Sequence, residues 1–109
     1  MALELKTNPT LQDLQAYVAE MIKERGFDQE TLPEVFMLFL EECGELVKAA
    51  RKTQTIKVDR NSQEYHVADE AADVLVILLD ICNYLGVDLE KAFRDKEEKN
   101  KKRVWEYNK

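Results

Sequence analysis

The feature that most constrains the fold of this chain is an apolar pattern at helical spacing that acidic residues interrupt. Within one predicted helix, apolar side chains recur on the same face at Val35, Leu38, Phe39, Leu46 and Ala49. Glu42 falls on this face and Glu45 lies beside it, where Leu or Ala would be expected. Burying carboxylates without compensation is costly, so this face is expected to have a function besides packing.

The rest of the chain also favours helices. It contains only two prolines and three glycines and is rich in Ala, Leu, Glu and Lys. Capping-box patterns predict that the first helix begins at Thr10 and the second at Thr31. Gly86 is predicted to end the third helix, and Asp88 to cap the start of the fourth. The predicted helices cover residues 10–25, 31–51 and 65–85, and a fourth starts at residue 88, with a loop over residues 52–65. Residues 1–109 are therefore predicted to form one all-α domain, a bundle of about four helices.

Length and charge restrict the partners of such a domain. A chain of 109 residues has little area to bury, so a second copy is expected to complete its core, as a homodimer or homotetramer. The net charge of −6 argues against binding a nucleic-acid polymer, because such proteins usually present basic faces. The sequence has no apolar run of the roughly 20 residues that span a membrane.

Cysteine usage and the first residues suggest where the protein resides. Cys43 and Cys82 each fall within a helical apolar pattern and form no CxxC pair, so buried free thiols are expected. The first ten residues show no cationic segment followed by an apolar one. We therefore expect a cytoplasmic protein.

Acidic residues occur as two pairs on two consecutive apolar helices. Glu42 and Glu45 are three residues apart, as are Glu70 and Asp73, so each pair projects from one helix face. If the helices pack side by side, the four acids converge and favour a hard divalent cation such as Mg²⁺. The alternative is that each acid is solvated. A ferritin-like iron site is disfavoured because His66 does not lie three residues after any glutamate.

Two sequence elements resemble those of a known enzyme family. The stretches EECGEL and DEAADVL are similar to the E-x-x-E and E-x-x-D signature of the MazG-like all-α nucleoside triphosphate pyrophosphohydrolases. KEEKNKKR resembles the K-x-x-x-N-x-x-R element of the same family and places it on Lys96, Asn100 and Arg103. Together these elements extend from Glu42 to Arg103, over more than half of the chain.

The resemblance implies roles for individual residues. It implies metal binding, by Mg²⁺ or by Mn²⁺ in its place, at Glu42, Glu45, Glu70 and Asp73. One glutamate near the metal is expected to help deprotonate the attacking water, and we choose Glu45 as this general base. It implies that Lys96, Asn100 and Arg103 contact the triphosphate. Asn83 and Tyr84 are interpreted as residues that read or stack the base, or alternatively as polar groups at a subunit contact. Trp105 is expected to pack in the core or at a dimer contact, as large aromatic side chains usually do. The alternative is that its ring closes over a base.

The resemblance also implies an activity. It is the hydrolysis of a nucleoside or deoxynucleoside triphosphate at the α–β bond to the monophosphate and pyrophosphate, for nucleotide-pool control or house-cleaning. A dimeric dUTPase-like activity, a phosphoribosyl-ATP pyrophosphohydrolase activity, and a non-catalytic helical module that senses nucleotides or binds a partner remain alternatives.

Overall fold

A computed structural model describes residues 3–54, 57 and 66–108, and within them the chain is entirely helical or irregular. The helices are α1 (Leu11–Glu24), a short 3-10 helix (Phe27–Gln29), α2 (Leu32–Gln54), α3 (Val67–Leu85) and α4 (Leu89–Asn100). The predicted all-α class and all four predicted helices are confirmed.

The helix ends follow the local signals in the sequence. Thr10 and Asp13 form a reciprocal capping box at the start of α1, and the Asp88 side chain accepts the backbone N–H of Lys91 at the start of α4. Gly86 ends α3 in the left-handed region with φ of 67°, a conformation that is nearly free of strain only for glycine. The tight turn between α3 and α4 therefore depends on this residue.

The predicted end of α2 is wrong by three residues. The helix continues past Arg51 through Lys52, Thr53 and Gln54. The apolar period stops at residue 51, but this stretch contains no Gly or Pro to end the helix, and the Thr53 hydroxyl donates to the Ala50 carbonyl at 2.7 Å. In the rest of the predicted loop only Lys57 lies among the described residues.

The arrangement of the helices determines where the acids meet. The main contact joins α2 and α3, while α1 packs on α3 and α4 packs on α1. Tyr84 at the end of α3 donates to the carbonyl of Glu30 before α2, whereas Glu42 in the middle of α2 lies near Asp73 towards the start of α3. The two helices therefore run antiparallel. Val18, Met21 and Leu79 form a small core between α1 and α3.

One glutamine ties α1 to the turn between α3 and α4. Buried Gln15 donates to the Asn83 side chain at 3.1 Å and to the Val87 carbonyl at 2.6 Å, and it accepts the backbone N–H of Leu89 at 3.0 Å. Because each of these polar groups is satisfied inside the protein, the junction holds α1 in one position along α3.

One face of α2 carries large apolar side chains that the described part of the chain leaves exposed. Phe36, Leu40 and Val47 are 43%, 70% and 65% exposed. Cys43 lies on the same face, which explains why this thiol is half-buried rather than buried as predicted, whereas Cys82 is buried and both thiols are free. A contiguous apolar patch of this kind is typical of an interface.

Candidate functional site

Three of the four predicted metal-binding acids converge between α2 and α3. Glu42 of α2 and Glu70 and Asp73 of α3 each offer a carboxylate oxygen, and these atoms lie within 4.8 Å of one another. Glu70 and Asp73 share a face of α3 because they are three residues apart. Glu42 and Glu70 are half-buried and Asp73 is exposed, so the group stands at the border between protein and solvent.

The electrostatics of this three-acid cluster suit a cation. Burial raises the pKa of the Glu42 carboxyl, and the neighbouring charges of Asp73 and Glu70 raise it further. The fold thus holds the Glu42 carboxylate where its ionised form is disfavoured. A divalent ion would reverse the sign of the local field, and carboxylate oxygens are the donors that Mg²⁺ and Mn²⁺ accept. The residues present therefore fit a divalent metal.

Glu45 lies outside the three-acid cluster. It is half-buried, one turn after Glu42, and its charge is the weakest of the four that raise the pKa of Glu42. Glu45 is therefore near enough to influence the cluster without sharing its meeting point. Its predicted roles in metal binding and catalysis stay predictions.

A groove of about 390 Å³ extends from the three-acid cluster. Glu42 and Asp73 belong to its wall at one end, and Glu30 and Asp80 belong to it as well. Most of the remaining wall is apolar and comes from α1, the 3-10 helix, α2 and α3, at Met21, Ile22, Phe27, Val35, Leu38, Val76 and Ile77. A groove of this size whose wall combines apolar side chains with a cluster of charged ones is typical of a small-molecule site.

Asp80 is the buried acid of this groove. Its side chain is 9% exposed, and burial followed by the charge of Glu30 raises the pKa of its carboxyl. It lies seven residues after Asp73, so the two acids are about 10 Å apart along α3. The sequence signal for Asp80 is this two-turn spacing, which places it on the same face of α3 as Asp73.

Asn83 and Tyr84 are both engaged in contacts that hold helices together. Asn83 lies away from the groove, where it exchanges hydrogen bonds with Gln15 through both ends of its amide, its Nδ2 donating to the Gln15 carbonyl at 3.1 Å. Tyr84 is partly exposed and its hydroxyl donates to the carbonyl of Glu30. The predicted contacts of these two residues with the base stay predictions.

Within the described residues, the structure does not bring the predicted triphosphate-binding residues to the acids. Helix α4 packs on α1, and none of its residues lines the groove. Lys96 is exposed, and the Arg103 guanidinium lies 5.5 Å from the centre of the exposed Trp105 ring. Asn100 is half-buried, and its Oδ1 is buried without a hydrogen-bond partner. In a single chain the basic element and the acid cluster are therefore separate.

Comparison with known families decides what this arrangement represents. The family model of the MazG nucleotide pyrophosphohydrolase domain matches residues 30–105. The chain belongs to this family. The match covers α2, α3 and α4 and includes both acid pairs and the basic element, so the resemblance noted from the sequence is confirmed. The MazG domain described here is accordingly a nucleotide pyrophosphohydrolase.

Individual relatives agree with this assignment. The dATP/dGTP diphosphohydrolase of cyanophage S-2L is 34% identical over 96 residues, which are 88% of this chain and 78% of that protein. The structure also resembles the MazG-like pyrophosphohydrolase of cyanophage S-2L bound to dGDP and three catalytic Mn²⁺ ions per active site. That comparison has a TM-score of 0.68 and 31% identity, and covers 94% of this chain and 89% of the other.

A bacterial MazG protein has a similar fold. One structure of iMazG from Vibrio DAT 722 gives a TM-score of 0.66 and 32% identity and covers 93% of this chain and all of that one. Both neighbours are MazG proteins, which confirms the MazG-like all-α fold. In the described part of this chain, no helix combines the length and apolarity needed to cross a membrane.

Proposed function

We propose that this MazG domain hydrolyses a nucleoside or deoxynucleoside triphosphate at the α–β bond and releases the monophosphate and pyrophosphate. The observation that carries the proposal is the convergence of Glu42, Glu70 and Asp73 within 4.8 Å at a groove that is otherwise mostly apolar. The acids supply the metal-binding end that a triphosphate needs, and the apolar wall suits the faces of a sugar and a base.

Each group of residues has a distinct part in the proposed reaction. The three acids would hold Mg²⁺, or Mn²⁺ in its place, and the ion would supply positive charge to offset the charge of the phosphates. Glu45, one turn from Glu42 and half-buried, positions a water and accepts its proton as general base. The groove walls position the nucleoside so that the α-phosphate stays at the acids.

We further propose that the assembly is a homodimer or homotetramer in which a second copy supplies the triphosphate contacts. Two observations support this: α4 packs away from the acids within one chain, and the apolar face of α2 is exposed. Packing copies through α2 would bury Phe36, Leu40 and Val47 and give Lys96 and Arg103 of one chain a route to the groove of the other.

Purine deoxynucleoside triphosphates are the substrates that we favour. The related cyanophage enzyme is named for dATP and dGTP, and the similar cyanophage structure contains dGDP. The names of these two relatives support a purine deoxynucleotide over the dUTPase-like and phosphoribosyl-ATP alternatives. A nucleotide-pool function of this kind, in the cytoplasm, also agrees with the acidic net charge, which does not favour nucleic-acid polymers.

The proposal is tested by measuring products across a panel of nucleoside and deoxynucleoside triphosphates with Mg²⁺, with Mn²⁺ and with EDTA. We expect metal-dependent formation of monophosphate and pyrophosphate in equal amounts. Glu45→Gln should lose most turnover, because an amide cannot accept the proton from water. Release of diphosphate and inorganic phosphate would refute the proposed cleavage site, and full activity in EDTA would refute the metal requirement.

A further inference from the structure

Asp80 is a buried acid that the proposed metal site and hydrolysis do not use. Its side chain is more than nine-tenths buried in the wall of the groove, and no hydrogen bond joins it to another described residue. A carboxylate that is largely withdrawn from water and has no hydrogen-bond donor from the protein carries a desolvation cost. The upward pKa shift that burial and Glu30 cause at Asp80 expresses this cost. A ligand with N–H donors would satisfy the carboxylate.

The position of Asp80 indicates which part of a nucleotide supplies those donors. The phosphates are expected at Glu42, Glu70 and Asp73, and Asp80 lies two helical turns from Asp73, about 10 Å along α3. That distance matches a nucleotide whose phosphates are at the acids and whose base reaches Asp80. The wall also includes Phe27, a partly exposed aromatic ring suited to contact with a base.

We propose that Asp80 determines base specificity by accepting two hydrogen bonds from the guanine Watson–Crick edge, so that this MazG domain prefers guanine nucleotides. The inference rests on the proposed function, since it assumes that the groove holds a nucleotide with its phosphates at the three-acid cluster.

Guanine is favoured because an ionised carboxylate only accepts hydrogen bonds. Guanine presents two adjacent donors, N1–H and the 2-amino group. Adenine and cytosine each place an amino donor beside a ring-nitrogen acceptor, whose lone pair would face a carboxylate oxygen. Thymine and uracil present a single N3–H between two carbonyl acceptors. Guanine is thus the one common base that offers both oxygens of Asp80 a donor.

The groups around Asp80 strengthen this preference. Glu30, on the same groove wall, adds a second negative charge and increases the need for donors from the ligand. The Tyr84 hydroxyl is already used in its hydrogen bond to the Glu30 carbonyl, which anchors that part of the wall to α3. Arg25 also lines the groove but is exposed, and it is not a cause of the pKa shift of Asp80.

The experiment compares dGTP, dITP and dATP as substrates of the wild type at pH 8. Hypoxanthine keeps N1–H but lacks the 2-amino group, so dITP removes one of the two donors. We expect kcat/KM for dGTP to exceed that for dITP and for dATP by about 10-fold or more, the discrimination that a lost buried hydrogen bond gives.

Asp80→Asn is the decisive variant, because it keeps the size and removes the charge. An amide offers one acceptor and one donor, which matches the adenine edge. We therefore expect the dGTP preference over dITP and dATP to fall by about 10-fold or more, chiefly through lost dGTP use. Asp28→Asn, at an exposed acid that does not line the groove, is the matched control and should keep the wild-type ratios.

The possible outcomes separate this inference from the proposed function. Equal kcat/KM values of the wild type for dGTP and dITP, or unchanged ratios in Asp80→Asn, would overturn the inference while leaving the hydrolase intact. A uniform loss with all substrates would also overturn it, since a structural role has that effect. If Asp80→Asn does not fold, or if the wild type hydrolyses nothing, the inference is tested by calorimetric binding of dGMP and dIMP to the wild type. Tighter binding of dGMP supports the inference, and equal binding of the two overturns it.

Discussion

Replacing Glu42 by Gln should stabilise the metal-free protein and remove most of its stabilisation by metal. In the three-acid cluster, Glu42 meets Glu70 and Asp73 with carboxylate oxygens within 4.8 Å. Two unit charges at that separation repel by about 0.9 kcal/mol in water and by about 3.5 kcal/mol at an effective dielectric constant of 20. Because Asp73 is exposed and the other two acids are half-buried, the lower end applies.

Removing both repulsions that involve Glu42 is therefore expected to add about 1–2 kcal/mol to the free energy of unfolding without metal. For a chain of this length, about 1 kcal/mol shifts the Tm by roughly 4 °C. In the wild type, Mg²⁺ at 100 times its Kd would add about 2.7 kcal/mol, because it binds the folded state. In Glu42→Gln that gain should be much smaller, since one of the three charged ligands is gone.

The assay is calorimetric melting in EDTA and then across a Mg²⁺ titration. Glu41→Gln is the matched control, because it removes the same charge from the exposed residue next to Glu42. This control should respond to Mg²⁺ as the wild type does. An unchanged or lower metal-free Tm in Glu42→Gln, together with a wild-type response to Mg²⁺, would refute the reasoning and return the three acids to the class of solvated surface residues.

Three further predictions concern assembly, the basic element and pH. Light scattering should give the mass of a dimer or tetramer, and Leu40→Lys, which charges the exposed face of α2, should lower it; a monomeric wild type would contradict the proposed assembly. Arg103→Ala should weaken substrate use at least several-fold with little change in Tm, because the side chain is exposed; a large loss of Tm with normal activity would assign Arg103 to the fold. Asp80→Asn should raise the metal-free Tm more at pH 7 than at pH 4. The folded-state pKa of Asp80 is raised, so the protonated form of its carboxyl favours folding. That contribution to stability is lost as the pH rises from the usual pKa near 3.8 through the folded-state pKa. Equal gains at both pH values would contradict the assigned shift.

Much of the fold could be predicted because its determinants are local. The capping box at Thr10, the left-handed Gly86 and the cap at Asp88 depend on residues within one turn of each other. The three-acid cluster needed only one further assumption, that consecutive apolar helices pack side by side. The end of α2 was predicted wrongly because the apolar period shows which residues are buried, not where a helix ends. A polar stretch such as the one through Gln54 stays helical when it contains no residue that breaks a helix.

The rest of the site depends on where side chains point and on which helices pack together, and the spacing of residues in the sequence determines neither. Asn83 is three residues after Asp80, yet it turns towards α1 and Gln15 while Asp80 lines the groove. The position of Lys96 relative to the three-acid cluster depends on which helix α4 packs against, and this packing is a property of the whole fold. Glu45 has the same spacing from Glu42 that Asp73 has from Glu70, but only Asp73 joins the cluster.

The Gln15 junction has a consequence for evolution and engineering. It holds α1 through three hydrogen bonds to the Asn83 side chain, the Val87 carbonyl and the Leu89 N–H. Further along the same helix, Met21 and Ile22 form part of the groove wall. The groove width therefore depends on a side chain that does not line it. A change at position 15 offers a way to alter which ligands fit while every residue that touches the ligand stays the same.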